Sequence, residues 1–312
     1  VVNRIPPRIR GVWMVIVGAS LWGISGTVAQ VLFQRADVEA GWLVSIRLLI
    51  SGLALVAMAA AGGRDVWAPW KTGGERGRFL LFGLAGMLGV QYTFFAAVAE
   101  GNAATATLLQ FLSAPFITVF LALRWRRMPG IKDMSALALA MVGTFFLVTN
   151  GSFGGLTVPL PAVIWGLLSA ITAAFYTMYP VELIRRHGST LTVGWGMLIG
   201  GFFLSLIRPP WGSAAPDLSW EEWGLVAFVI VFGTLIPFHL FLDSLRYITP
   251  DKTGMLGSAE PLSAMLVSIV WLGHRPGLFE LVGGLCIIVT VILLSRAEKP
   301  AEKPETAIRQ AG

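Results

Sequence analysis

The chain has 312 residues, of which 55% are apolar and only 13% charged, about half the ~25% charge of an ordinary soluble domain. Too little charge is available to cover a soluble fold of this size, and a mean hydropathy of +0.74 excludes disorder, which needs low hydrophobicity and high charge. The single cysteine, Cys286, excludes an intrachain disulfide scaffold. The net charge of +6 is spread over short segments between apolar runs and forms no continuous basic face, so nucleic acid is not an expected partner. What remains is an all-α polytopic membrane protein.

A bilayer core of ~30 Å takes about 20 apolar residues as a helix. Ten stretches qualify in chain order: 12–33, 41–61, 79–99, 105–124, 134–150, 160–183, 192–207, 222–245, 253–272 and 278–295. The third and fourth are separated only by Glu100-Gly101-Asn102-Ala103-Ala104, and the eighth and ninth by a turn around Pro250-Asp251-Lys252. Both connections predict antiparallel neighbours. The first run follows a basic segment, Arg4 to Arg10, but it is longer than the apolar core of a signal peptide and has no clear cleavage site, so it reads as a retained helix. The segment 1–11 and the charged, proline-containing tail 296–312 flank the spans, and the tail reads as disordered. Tryptophans such as Trp13, Trp42, Trp67, Trp70, Trp125, Trp211, Trp220, Trp223 and Trp271 fall near span ends, where interfacial anchoring is expected.

Charge alternation supports ten spans. With the N-terminus inside, 19 of the 23 Lys and Arg fall in inner segments and only Arg35, Arg208 and Arg275 in outer ones. One missed helix would invert every later loop. The bias of Lys and Arg toward the cytoplasm therefore places both termini there, in a bacterial inner membrane. Arg47 lies inside the second span and reads as a snorkelling side chain or, alternatively, as a carboxylate-binding one.

The chain is written twice. Shifted by 146 residues, Pro261 falls on Pro115, Tyr92-Thr93-Phe94-Phe95 on Phe238-His239-Leu240-Phe241, and Leu112-Ser113-Ala114-Pro115-Phe116 on Ser258-Ala259-Glu260-Pro261-Leu262. Met128-Pro129-Gly130 faces Arg275-Pro276-Gly277 with one more residue of offset, and Trp22-Gly23 faces Trp165-Gly166 at a slightly smaller one. The halves are 12–150 and 151–295. Five spans per half is odd, so the copies are expected to have opposite orientations. Inverted repeats around a mid-membrane site suit alternating access.

These features resemble the drug/metabolite transporter superfamily, specifically its ten-helix EamA-type exporters. The resemblance rests on the Trp-Gly of each first helix, on Ala114-Pro115 and Glu260-Pro261, and on the Pro-Gly opening each last hairpin. In pattern the chain is most similar to YddG-like exporters of aromatic amino acids. The resemblance implies a helical bundle around a central cavity lined by the first four helices of each half, with the fifth and tenth at the periphery. Where the family often has an acidic residue after the fourth helix, this chain has Arg126-Arg127-Met128.

Candidate site residues follow from polarity inside spans. Glu260 lies eight residues past Lys252, about 12 Å along a helix, and an acid at that depth must face a partner or water. It reads either as a proton or substrate-amine site, or as a neutral acid bonded to backbone freed by Pro261. His239, on the preceding antiparallel helix, is expected at nearly the same depth and within reach of it. Gln91 and Gln110, amides that donate and accept together, suit a zwitterion or interhelical bonding. Trp22, Tyr92, Trp165, Tyr176 and Tyr179 offer apolar faces with one polar atom, for a cavity wall or for packing. Pro115, Pro237 and Pro261 are expected to kink their helices, as is Pro180 late in the sixth span. Each frees a carbonyl one turn earlier, and in lipid such a group needs a partner or a cavity. Glycines at 83, 86 and 89, and at 194, 196, 200 and 201, form smooth stripes for close helix approach.

No ATP-binding loop, nucleophile elbow or zinc motif is present, so neither an enzyme nor a resident cofactor or metal is expected. The function expected is export of small amphipathic metabolites, amino acids including aromatic ones, by alternating access. The alternative is a proton-coupled exporter of lipophilic cationic drugs leaning on Glu260. The partners expected are that small molecule and the lipid bilayer, with no obligatory protein partner.

Overall fold

A computed structural model of the chain describes residues 6–297 except 72, 127–129, 212–215, 245, 249–252 and 254–255. The described residues form helices joined by turns and short loops. Ten of the helices carry the architecture: α1 (Pro7–Arg35), α2 (Ala40–Ala61), α3 (Gly73–Glu100), α4 in two segments (Ala103–Gln110 and Ser113–Trp125), α5 (Ile131–Thr149), α6 (Leu160–Met178), α7 (Ser189–Ile207), α8 (Trp220–Ser244), α9 (Ala259–Leu272) and α10 (Leu278–Ala297). Eight continuous apolar stretches, α1 to α8, are long enough to cross a bilayer, and α9 and α10 contribute shorter apolar helices. The turn expected at 250–252, the Arg127-Met128-Pro129 segment and the tail beyond residue 297 lie outside the described residues.

The tight α3–α4 connection is built by two polar side chains. Asn102 caps α4 by accepting from the Thr105 amide at 2.8 Å, and the buried Gln30 Oε1 of α1 accepts from the Ala103 amide at 2.9 Å. These bonds satisfy amides that a helix start leaves without intrahelical partners. At the start of α8, Ser219 and Glu222 form a capping box.

The packing has an internal regularity. α2 packs on α7 and α5 on α10; α3 packs on α6 as α8 packs on α1; α4 packs on α6 as α9 packs on α1. Exchanging each helix of one half for its counterpart in the other leaves this pattern unchanged. The glycines of α7 lie at its contacts with α2 and α3. Gly194 and Gly201 face Leu55 and Leu48 of α2, while Gly196 and Gly200 face Met87 and the Gly83 carbonyl of α3.

Three sequence expectations change. Pro180 does not kink a helix: α6 ends at Met178, and Pro180 precedes a separate short helix, Val181–His187. Pro115 and Pro261 each occupy the first turn of a new segment, after breaks at Phe111–Leu112 and Gly257–Ser258. A proline is tolerated there because the amides of a first turn lack intrahelical acceptors. Trp42 is buried rather than an interfacial anchor, with its ring edge-on to Trp223 at 5.8 Å and its Nε1 donating to Pro210 O at 3.2 Å.

α3 and α8 both pass through a π-helical stretch, Phe82–Leu88 and Val231–Leu235, at equivalent places in the two halves. In α8 the stretch runs directly into Ile236-Pro237. A π-bulge and a proline together loosen the backbone ladder.

α1 and α9 meet at close range. Ser263 Oγ donates to Ser20 O at 3.2 Å, and a Cβ at Gly23 would collide with Glu260 O and Ser263 Oγ. Gly23→Ala is therefore expected to destabilise the bundle by about 1–3 kcal/mol, the usual cost of overpacking. A lowered melting temperature of the detergent-purified protein checks this, and an unchanged one contradicts the contact.

Candidate functional site

A cavity of about 290 Å³ lies at the centre of the bundle, close to the lower end of the ~300–1,000 Å³ range of small-molecule sites. α1 contributes Trp22, Ser25 and Gly26, one helical face at spacings of three and four. α3 contributes Met87, Val90, Gln91, Phe94 and Phe95. The break in α4 brings Gln110, Phe111, Ser113 and Ala114, and α6 brings Ala173, Tyr176 and Thr177. Arg47 of α2, Phe238 of α8, Glu260 of α9 and Val291 of α10 complete the wall. The tenth helix is thus not wholly peripheral.

Arg47 departs from the snorkelling reading of the sequence. It does not snorkel; it is 5% exposed and faces inward. Its Nε donates to Thr234 Oγ1 at 2.6 Å, Nη1 to Gln91 Oε1 at 3.0 Å and Nη2 to the Gly233 carbonyl at 2.7 Å. The guanidinium carbon also lies 4.8 Å from the centroid of the Phe95 ring, within cation–π range. The Gly233 bond has a sequence cause. Pro237 has no amide hydrogen, so the carbonyl four residues earlier lacks its helical donor, and Arg47 supplies one. A guanidinium has five N–H donors, so two remain uncommitted among the described residues.

Glu260 lines the same cavity from the first turn of α9. Its main-chain carbonyl accepts from Ser263 Oγ at 2.8 Å, whereas its carboxylate makes no hydrogen bond and no ion pair within 4 Å among the described residues; Arg47 is the opposite charge that acts on it. An arginine held in place and an acid without a hydrogen bond therefore share one chamber. Aromatic rings lie around them: Trp22 meets Phe238 edge-on at 5.4 Å, and Phe94 meets Phe95 at 5.3 Å. Gln110 Nε2 donates to Ser169 Oγ at 2.7 Å.

Of the residues expected at the site, Trp22, Gln91, Gln110, Tyr176 and Glu260 line the cavity. Tyr92 and Trp165 instead pack against each other at 5.7 Å, and Tyr179 stacks on Phe175 at 4.7 Å. His239 lines a different cavity from Glu260, so the expected pairing of the two is not found. Phe94, Phe95, Phe111 and Phe238 were missed because ring-bearing residues in spans look alike in sequence whichever way they face.

The two ends of the bundle differ. At one, Glu39 pairs with Arg208 at 3.1 Å and Ser45 Oγ donates to Arg208 O at 3.3 Å, tying the start of α2 to the end of α7. The opposite end is rich in cations. There Glu75 accepts from Arg186 at 3.2 Å and pairs with His187 at 3.0 Å, while Arg64 donates to His187 O at 3.1 Å. Nearby, hydrogen bonds from Arg185 and Arg186 hold the Glu182 carboxyl down at about 2, well below the usual carboxylate value.

The sequence matches the EamA-like transporter family twice, over residues 9–149 and 160–296. The chain belongs to that family. It is 37% identical over 288 residues to the uncharacterized inner membrane transporter YicL of Salmonella typhimurium, covering 92% of this chain and 95% of YicL. It is 24% identical to the threonine/homoserine exporter RhtA of Escherichia coli, covering 87% and 86% of the two chains. A solved crystal structure with 17% sequence identity shares the fold, with a TM-score of 0.61 over 93% of this chain and 98% of that one. The molecule is thus an integral, multi-pass membrane transporter of the EamA-like family.

Proposed function

We propose that this EamA-like transporter exports small zwitterionic metabolites, amino acids including aromatic ones, by alternating access. The observation that carries the reading is the cavity shared by Arg47 and Glu260. A fixed guanidinium with spare donors fits a carboxylate, a carboxylate without a hydrogen bond fits an ammonium, and the rings that line the same cavity fit an apolar side chain. Both charges sit where an isolated one would cost about 3 kcal/mol or more, so a ligand that satisfies both has a large advantage. That a relative at 24% identity is a threonine/homoserine exporter points to the same substrate class.

The paired packing pattern and the two family matches support an inverted pair of five-helix halves, 12–150 and 151–295. The distribution of Lys and Arg supports cytoplasmic termini in a bacterial inner membrane. In that orientation the Arg208 end faces outward, and the cation-rich end faces the cytoplasm.

Liposomes containing the purified protein and loaded with L-phenylalanine or L-threonine test the reading. Efflux well above that from protein-free liposomes is expected for at least one of them. A second reading, export of lipophilic cations, draws on Glu260 alone. Efflux of benzyltrimethylammonium without efflux of either amino acid would select it.

A further inference from the structure

A second cavity, of about 280 Å³, lies between the cation-rich ends of α2, α7 and α8. Its polar lining includes Arg64, Ser189, Thr190, His239, Asp243 and Arg246. Asp243 pairs with Arg246 at 2.8 Å. Among the described residues the hydroxyls of Ser189 and Thr190 make no hydrogen bond. Arg64 spends one donor on His187 O and keeps the others. This chamber therefore offers cations, free hydroxyls and one carboxylate, the same kinds of group as the central site but nearer the bundle's end.

One side chain belongs to both chambers. Phe238 lines the central cavity and the second one, and its ring is pinned edge-on by Trp22, which also meets Phe241 at 5.3 Å. Phe238 directly follows Pro237 and the π-helical stretch Val231–Leu235. That stretch is held from across the bundle by Arg47, through Thr234 Oγ1 and the Gly233 carbonyl. A carboxylate that takes the two uncommitted N–H donors of this guanidinium binds the same side chain that holds those two partners. The helix coupled to the site in this way is the one carrying the ring.

We infer that the second cavity is a vestibular binding subsite for the same zwitterionic substrate and that Phe238 is the partition between it and the central site, tethered through Arg47. The substrate class rests on the function proposed above; the partition does not. The vestibule takes the substrate carboxylate on Arg64 and the hydroxyls. The ring then swings on the loosened π–proline segment, and the carboxylate passes to Arg47.

Cysteine accessibility in full-length protein reconstituted into liposomes tests this. The single native thiol is removed by Cys286→Ala, and either Ser189→Cys in the vestibule or Ser113→Cys in the central cavity is added. Modification by a charged methanethiosulfonate reagent from the cation-rich side is then timed. Ser189→Cys is expected to react quickly whether or not Phe238 is changed. Ser113→Cys is expected to react at least tenfold faster with Phe238→Ala, and by an intermediate factor with Phe238→Leu. The leucine variant carries the comparison if the alanine variant does not fold. Equal rates at Ser113→Cys for all side chains at 238 would overturn the partition.

With Phe238 intact, added L-phenylalanine is expected to slow modification at Ser189→Cys as well as at Ser113→Cys. Protection at Ser113→Cys alone would overturn the subsite and leave the central site standing. Protection at neither would overturn the subsite together with the proposed substrate class, while the rate comparison would still decide the partition.

Discussion

Replacing Arg47 by lysine is expected to lower kcat/KM for amino-acid efflux by at least ~30-fold and not to act as a conservative change. Truncating one partner of a buried, hydrogen-bonded charged set costs about 2–5 kcal/mol, and 2 kcal/mol is about 30-fold. Lysine retains the charge but lacks the planar fork. It has three donors on one atom, whereas Arg47 reaches Thr234, Gln91 and Gly233 from three separate nitrogens. The lysine variant thus gives up at least one of these contacts or any spare donor for the substrate. Thr234→Ala separates the two roles. It removes a partner of Arg47 and leaves the charge, so a smaller effect, below about tenfold, is expected from loss of one hydrogen bond. Efflux from proteoliposomes, read beside the melting temperature of each variant, checks both. Full activity of Arg47→Lys would remove carboxylate recognition from the account.

Glu260→Gln is expected to act on a different part of the substrate. Glutamine keeps the shape and hydrogen-bonding capacity of the side chain but not its charge, so the loss is confined to the ammonium. Efflux of L-phenylalanine is expected to fall by at least ~10-fold, the effect of losing one charge-assisted bond worth about 1.5–3 kcal/mol. Transport of 3-phenylpropionate, which has no amine, is expected to be unchanged or faster, because the substrate's carboxylate no longer meets a like charge. For Arg47→Lys the order reverses: 3-phenylpropionate suffers at least as much as phenylalanine. Parallel losses for both compounds in the Glu260→Gln protein would mean that Glu260 serves the structure of α9 rather than the substrate.

Much of the helical layout is legible in the sequence, because spans, cation alternation and tight hairpins are local properties. The inward orientation of Arg47 is not. Hydropathy registers an arginine within a span whichever way it points, and the groups that turn it inward lie 186 and 187 residues away in α8. A faint signal exists: Pro237 frees the Gly233 carbonyl, which must find a donor, and a buried arginine is a suitable one. The same limit explains the near misses. Gln91 faces the cavity while Tyr92, turned ~100° further around the helix, packs on Trp165. Phe238 and His239 differ in the same way: the first lines both chambers and the second only the outer of the two. The breaks in α4 and α9 were visible as prolines, but a kink within a helix and a new start just before one have the same local sequence.

The most direct measurement is equilibrium binding to the purified, unaltered protein of three related probes: L-phenylalanine, 2-phenylethylamine and 3-phenylpropionate. The account predicts that the zwitterion binds at least ~10-fold more tightly than either half-charged analogue, since only it engages Arg47 and Glu260 together. Binding of 2-phenylethylamine as tight as that of phenylalanine would contradict it, leaving Arg47 as scaffold and the molecule as a carrier of cations.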